Sequence, residues 1–231
     1  MTSLLPLPFP TPTENAVASF SYFDFSEGRG YKIFYGFSEK KADSYLGTTS
    51  TEAYKLSDTA DVFSNTILTS GSGVTTSPAD ERNLSLDLDF DYTFNQSQIV
   101  DGPMRLVGSY GIQQTTGQLS GSMHYNIYKV SSGTETLLAS GGTFIGDIGS
   151  NLANSRKGTK TVVVDIPLTN FAPSDILRVN AQGWCSGEDT GAGNIGFAHD
   201  PQDRAGNGID PANDTTDTSK FEVHVPFRIK D

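Results

Sequence analysis

Residues 83–95, with the sequence NLSLDLDFDYTFN, indicate the fold class of this chain. Successive side chains of a β-strand point to opposite faces, so this strict alternation predicts a long strand with one apolar and one acidic face. An amphipathic helix is excluded, because a period of about 3.6 residues would scatter both sets around its axis. The apolar set is Leu84, Leu86, Leu88, Phe90, Tyr92 and Phe94, and the acidic set is Asp87, Asp89 and Asp91.

The C-terminal segment repeats this alternation. Residues 221–229, FEVHVPFRI, place Phe, Val and Ile side chains on one predicted face. Pro226 lies on the opposite face and has no N–H to donate, which indicates an edge strand or a β-bulge.

Strand and turn signals continue along the rest of the chain. Further strands are predicted at 17–25, 31–37, 60–69, 120–130, 135–140, 160–168, 176–183 and 194–199. The glycine-rich segments 27–30, 70–73, 131–133 and 141–142 are predicted turns. Residues 147–155 could form one helical turn, and residues 170–175 a corner. About ten short strands with little helical periodicity predict an all-β fold, an antiparallel β-sandwich. A jelly roll is the expected topology, and an immunoglobulin-like sandwich is the alternative.

Two regions are expected, an arm at residues 1–15 and one sandwich domain at residues 16–231. The arm begins MTSLLPLPFPTP, and its prolines predict an extended, polyproline-like backbone. It is a free terminus, an arm packed on its own domain, or an arm that reaches a neighbouring subunit. In the last case the partner contacts would come from Leu4, Leu5, Leu7 and Phe9.

Composition excludes several classes of function. The chain has 231 residues and a formal net charge of −11, so binding to nucleic acid through a basic patch is not expected. The sequence contains no run of about 18 apolar residues, so no membrane-spanning helix is predicted. The N-terminus lacks the basic start of a secretory signal, so we expect synthesis in the cytoplasm without a signal peptide. The single cysteine, Cys185, cannot form an internal disulfide.

The sequence contains no recognisable catalytic motif. His124, His199 and His224 have no nucleophile elbow in the sequence near them, and Cys185 follows Trp184 in a pattern typical of packing. Asp87, Asp89 and Asp91 are interpreted as a solvated or interfacial face rather than as glycosidase carboxylates. No metal or other cofactor is predicted, although calcium is possible at acidic residues that equally well form turns. These residues are Glu188, Asp189, Asp200, Asp203, Asp210, Asp214 and Asp217.

Several short motifs resemble a family of viral proteins. They are Phe34-Tyr35-Gly36, Tyr54-x-Leu56, the run at 165–171, Asp175-Ile-Leu-Arg178, His199-Asp200-Pro201 and the closing run at 225–229. In this combination the chain resembles β-sandwich virion proteins of tailed phages and related viruses, including capsid decoration (cement) proteins. The resemblance implies a non-enzymatic protein that binds and stabilises the capsid lattice, located in the virion at the capsid surface. It also implies a homotrimer whose partner is the major capsid protein or another virion protein.

Two other functions are weighed against this one. A carbohydrate-binding or receptor-binding module of a tail or spike is the alternative, because jelly rolls also serve as lectins. A secreted hydrolase domain is disfavoured, because the sequence shows neither a base beside a nucleophile nor a carboxylate pair in context.

Overall fold

The computed structural model describes residues 29–41, 51–64, 68–72, 82–114, 118–148, 155–186, 193–201 and 219–228. Within these ranges the protein forms eleven strands and no helix, so no helix there is long and apolar enough to cross a bilayer. The strands are β1 (Arg29–Lys41), β2 (Thr51–Ser57), β3 (Leu68–Ser72), β4 (Asn83–Thr93), β5 (Gln98–Gln114), β6 (Leu119–Ser131), β7 (Thr134–Ile148), β8 (Ser155–Phe171), β9 (Ile176–Ser186), β10 (Gly193–Ala198) and β11 (Phe221–Arg228).

The strands form one curled, mixed sheet. Its order is β3-β10-β5-β11-β1-β2-β4-β9-β6-β7, and β8 pairs with the free side of β5. Every pairing is antiparallel except a single parallel bridge from Lys55 of β2 to Asp91 of β4. This bridge divides the sheet into a first half that ends at β2 and a second half formed by β4, β9, β6 and β7. The all-β prediction is confirmed and the arrangement is consistent with a sandwich, whereas the jelly-roll topology stays a prediction.

Aromatic side chains hold the two halves together. Phe90 of the second half lies 4.8 Å from Phe221 and 5.9 Å from Phe197 of the first half, measured between ring centroids. Tyr125 of β6 stacks on Phe221 at 6.1 Å. All four rings are at most 1% exposed, so they form the centre of the hydrophobic core. Burial of side chains this large is the main contribution to the stability of such a fold.

The alternation predicted for β4 is confirmed over most of its length. Its Leu86, Leu88 and Phe90 are buried, whereas Asp87 and Asp89 are exposed. The prediction for Leu84 is wrong, because this side chain is 43% exposed. The register between β4 and β9 shifts between Leu84 and Leu86, and the extra residue of this β-bulge turns Leu84 to the outer face.

Other strand predictions had mixed outcomes. The tight turn at 131–133 is confirmed, since Ser132 and Gly133 have φ values of 51° and 79°, as in a type I′ hairpin. The bulge indicated by Pro226 is also confirmed, because the register with β5 shifts between His224 and Phe227. The turn predicted at 141–142 is wrong, because both glycines lie inside β7. Strands β2 and β5 were not predicted.

Some predictions concern residues outside the described ranges. These include the arm at 1–15 with Leu4, Leu5, Leu7 and Phe9, and the strand at 17–25. The division into an arm and one sandwich domain therefore stays a prediction.

Candidate functional site

The solvent-facing side of the second half of the sheet carries polar side chains at one end and exposed apolar side chains at the other. Four strands contribute to it, and their registers align the side chains in rows across the sheet. From one end to the other the rows are Leu84–Trp184–Ser122–Phe144, Asp87–Gln182–His124–Gly142, Asp89–Asn180–Asn126–Ser140 and Asp91–Arg178–Tyr128–Leu137. We call this surface the outer face.

The acidic residues of β4 are bound by side chains of β9. Asn180 donates from its Nδ2 atom to Asp87 at 2.5 Å and to Asp89 at 2.7 Å, and accepts a hydrogen bond from Asn126 at 3.1 Å. These amide hydrogen bonds orient two carboxylates that remain exposed to solvent. The aspartates therefore belong to a polar surface network, in line with the predicted solvated or interfacial face.

Asp87, Asp89 and Asp91 of β4 form what we call the acidic ladder, and Arg178 neutralises one end of it. It donates from Nε and Nη2 to the two carboxylate oxygens of Asp91, both at 2.7 Å, and also pairs with Asp89 and Glu135. Hydrogen bonding to Asp91 raises the pKa of Arg178 above its ordinary value. A bidentate guanidinium of this kind fixes the plane of the carboxylate that it binds. Both oxygens of Asp91 therefore accept hydrogen bonds from Arg178, which assigns this carboxylate to an ion pair of the surface network.

The opposite end of the outer face is apolar. Leu84 is 43% exposed and Phe144 is 50% exposed, with the half-buried Trp184 between them. The indole Nε1 of Trp184 donates to Gln182 at 3.2 Å, which orients the ring on the sheet. A shallow cleft of about 100 Å³ lies between Phe144 and Trp184. We call Leu84, Trp184 and Phe144 the apolar row; it crosses four strands and spans about 14 Å at the usual strand spacing.

The histidines have different environments. His124 lies in the second row, where a Cβ added to Gly142 would come within 2.8 Å of its Nδ1. The pKa of His124 is lowered, mainly by burial and to a lesser extent by the positive charge of Arg82. His224 contacts Glu222 at 3.2 Å on the outside of β11. Burial raises the pKa of Glu222, but hydrogen bonds from His224 and Lys220 outweigh this effect and leave the pKa lowered.

His199 contacts a serine that sequence reasoning did not connect with it. Its Nδ1 lies 3.4 Å from the Oγ of Ser64, which is 135 residues away in the chain. Both side chains are fully buried, and the imidazole packs against Tyr54 and Phe90. Burial lowers the pKa of His199 to about 4, so the ring is neutral at physiological pH. The contact links the polypeptide after β2 to the end of β10.

Cys185 is a packing residue, as predicted. Its side chain is fully buried, and burial raises the pKa of the thiol to about 11, although a hydrogen bond with Ser85 opposes the shift. A thiol with so high a pKa is a poor nucleophile. Ser85 is the residue inserted at the bulge, so the same distortion that turns Leu84 outward directs Ser85 inward.

Among the described residues, no group of three or more His, Cys, Asp or Glu side chains is placed to hold a metal ion. Asp200 is described and buried. The other residues proposed for calcium, Glu188, Asp189, Asp203, Asp210, Asp214 and Asp217, lie outside the described ranges.

Comparison with known proteins yields structural matches at low identity. No protein-family model matches the sequence, and no curated protein matches it. A CocE/NonD family hydrolase from Staphylococcus aureus is similar at 10% identity with a TM-score of 0.45, over 96% of this chain and 38% of that chain. An α-amino acid ester hydrolase is similar at 9% identity with a TM-score of 0.48, over 85% of this chain and 36% of that chain.

A viral protein is also similar, more weakly. The VP2 subviral particle of infectious bursal disease virus matches at 7% identity with a TM-score of 0.25, over 98% of this chain and 47% of that chain. The chain therefore spans less than two fifths of the length of the hydrolases and about half of the viral protein. The viral likeness is weak, and the specific resemblance to phage decoration proteins is not confirmed.

The matches to hydrolases contradict the prediction that the chain is not an enzyme, and that prediction is withdrawn. It rested on the lack of local catalytic motifs. Catalytic groups are brought together by the fold and need not be close in sequence, so a search for local motifs cannot exclude them. The contact between Ser64 and His199, which are 135 residues apart, shows that this fold brings together side chains that are distant in sequence. At these identities the likeness concerns the fold, and the activities in the printed names belong to those proteins.

Proposed function

We propose that the chain is a structural protein of a virus particle, of the capsid-decorating kind, and that it attaches through the apolar row of its outer face. The observation that carries this proposal is the exposure of Leu84 and Phe144 in one row across four strands, with the half-buried Trp184 and the small Ser122 between them. Single exposed apolar residues are common on soluble proteins, whereas several grouped on one face mark contact surfaces. Tryptophan and phenylalanine are also enriched at protein interfaces.

The energy available from this row fits a specific contact. Full burial of one large apolar side chain stabilises a complex by about 1.5–3 kcal/mol, and half-exposed side chains have about half of that still to gain. Three such residues therefore provide a centre for an interface but not its whole affinity. The neighbouring row of Asp87, Gln182 and His124 supplies polar groups along one side of these residues, as the polar rim does around most interface centres.

The proposal includes the partners and the place. The major capsid protein or another virion protein is the binding partner, the chain is a homotrimer, and its location is the capsid surface. The arm predicted at residues 1–15, with Leu4, Leu5, Leu7 and Phe9, provides a second contact, between the subunits of this trimer. An arm already extended by proline loses less conformational entropy on docking than a flexible tail.

The test is particle binding by surface variants. The chain or its variant is expressed in the cells that encode it, while those cells produce virus particles. The particles are then purified on a density gradient, and the amount of chain bound to them is measured. We expect Phe144→Ser to reduce the bound amount by about tenfold or more, which corresponds to about 1.4 kcal/mol. Val163→Ser is the matched control, because Val163 is 55% exposed on β8 of the first half.

Two outcomes would contradict the proposal. If the unmodified chain does not sediment with the particles, the chain is not a virion protein. If Phe144→Ser binds as well as Val163→Ser, the apolar row is not the attachment surface.

A further inference from the structure

A second cleft lies at one end of the sandwich, away from the apolar row. It has a volume of about 200 Å³ and is lined by β1, the end of β4 and the turn that follows it, β5, β11 and the residue that follows β2. Its lining residues are Lys32, Phe34, Asp58, Tyr92, Phe94, Asn95, Gln96, Gln98 and Phe227. Drug-sized ligands occupy about 300–1,000 Å³, so this cleft has room for a single small ring.

The floor of the cleft is aromatic. The ring of Phe34 lies 4.4 Å from that of Tyr92 and 6.2 Å from that of Phe227, and Phe94 lies 5.2 Å from Tyr92. Phe34 and Phe94 are buried, whereas Tyr92 and Phe227 are partly open. The last two rings can therefore offer an apolar surface to a ligand without a rearrangement of the core.

The rim of the cleft is polar but has no unbalanced charge. The Nζ of Lys32 lies 2.7 Å from a carboxylate oxygen of Asp58 and 5.5 Å from the centre of the Phe34 ring. The remaining polar groups on the rim are the carboxamides of Asn95, Gln96 and Gln98. Carboxamides both donate and accept hydrogen bonds, as hydroxyl groups do.

We propose that this cleft binds one neutral sugar unit, such as the terminal residue of a glycan. A pyranose ring has an apolar face of C–H groups that packs on an aromatic ring, and a rim of hydroxyls that pairs with carboxamides and with an ion pair. A strong anion is disfavoured because Asp58 already balances Lys32, and a purely apolar ligand would leave the rim groups unpaired. Burial raises the pKa of Tyr92, so its hydroxyl stays protonated and can donate.

Solution NMR of the full chain tests this inference, with a panel of methyl glycosides of neutral hexoses and N-acetylhexosamines as probes. Sialic acid and glucosamine serve as charged comparisons. We expect saturable shifts of the side-chain amide signals of Asn95, Gln96 and Gln98 with a millimolar dissociation constant. The double variant Gln96→Ala/Gln98→Ala should weaken binding about tenfold or more, whereas Gln118→Ala, a matched change at an exposed position outside the cleft, should not.

The inference is overturned if no neutral glycoside gives saturable shifts, if the shifts map elsewhere on the chain, or if only a charged sugar binds. It is also overturned if the Gln96→Ala/Gln98→Ala variant binds as tightly as Gln118→Ala. None of these results depends on the apolar row, so the attachment proposal and the sugar site can fail separately.

Discussion

At the scale of single residues, β4 separates positions that hold the core from positions that face solvent. Phe90 is fully buried against Phe197 and Phe221, whereas Asp89 is exposed. We predict that Phe90→Ala lowers the free energy of unfolding by about 3–5 kcal/mol, because it leaves a cavity among the rings. Asp89→Asn should cost less than about 1 kcal/mol. Urea unfolding measures both, and the reverse ranking would show that the register of β4 is wrong.

His199 gives the protein a pH dependence of stability. Its pKa falls from the ordinary value of 6.5 to about 4 because the ring is buried. Between these values the unfolded chain binds a proton that the folded chain does not, so the free energy of unfolding decreases as the pH falls from about 6.5 to about 4. We predict a shallower decrease over this window for His199→Gln. Carboxylates also titrate near its lower end, so the test compares the slopes of variant and parent, and equal slopes would contradict the assignment.

At the scale of elements, glycine allows β7 of one half to approach β8 of the other. A Cβ at Gly141 would come within 2.7 Å of Cγ1 of Val164, whereas a Cβ at Gly158 would meet nothing within 4 Å. We predict that Gly141→Ala destabilises the protein by about 1–3 kcal/mol through overpacking. Gly158→Ala is the matched control and should have little effect or stabilise slightly. Similar thermal midpoints for the two variants would show that the two strands do not pack this closely.

The elements that were predicted and missed differ in a physical way. Strand β4 was predicted because half of its residues are large and apolar in strict alternation. Strand β5 was missed because Gly102, Pro103 and Gly108 are typical of turns. In the structure the two glycines lie within the strand. Gly102, with a φ of 110°, lies where the register with β8 shifts, and Gly108 makes room for the hydroxyl of Tyr125. Such requirements depend on neighbours that are distant in sequence.

At the scale of the whole molecule, the same reasoning explains why the candidate surface was not predicted. The apolar row requires the registers of four strands and the bulge at Ser85 that turns Leu84 outward. The alternation in sequence placed Leu84 in the core, and Trp184 appeared only as a residue at the end of a strand. The acidic ladder was predicted correctly as surface, but its pairing with Arg178 and Asn180 depends on the register with β9.

The proposed assembly predicts a defined oligomer. A protein with a net charge of −11 and an apolar arm is expected to bury that arm between subunits, and a closed ring of three satisfies such contacts. We predict that the full chain sediments as a trimer at micromolar concentration. A deletion of residues 1–12 should shift it toward a monomer with an unchanged far-ultraviolet circular dichroism spectrum. A monomeric full chain would contradict the proposed trimer.

The central claim is that the apolar row of the outer face holds the chain on a virus particle. A cryo-electron microscopy map of particles from the cells that encode the chain tests it most directly. The account predicts density for the sandwich on the capsid surface, with Leu84, Trp184 and Phe144 buried against a neighbouring virion protein. A map without the chain, or one in which this row faces solvent while another surface makes the contact, would contradict it.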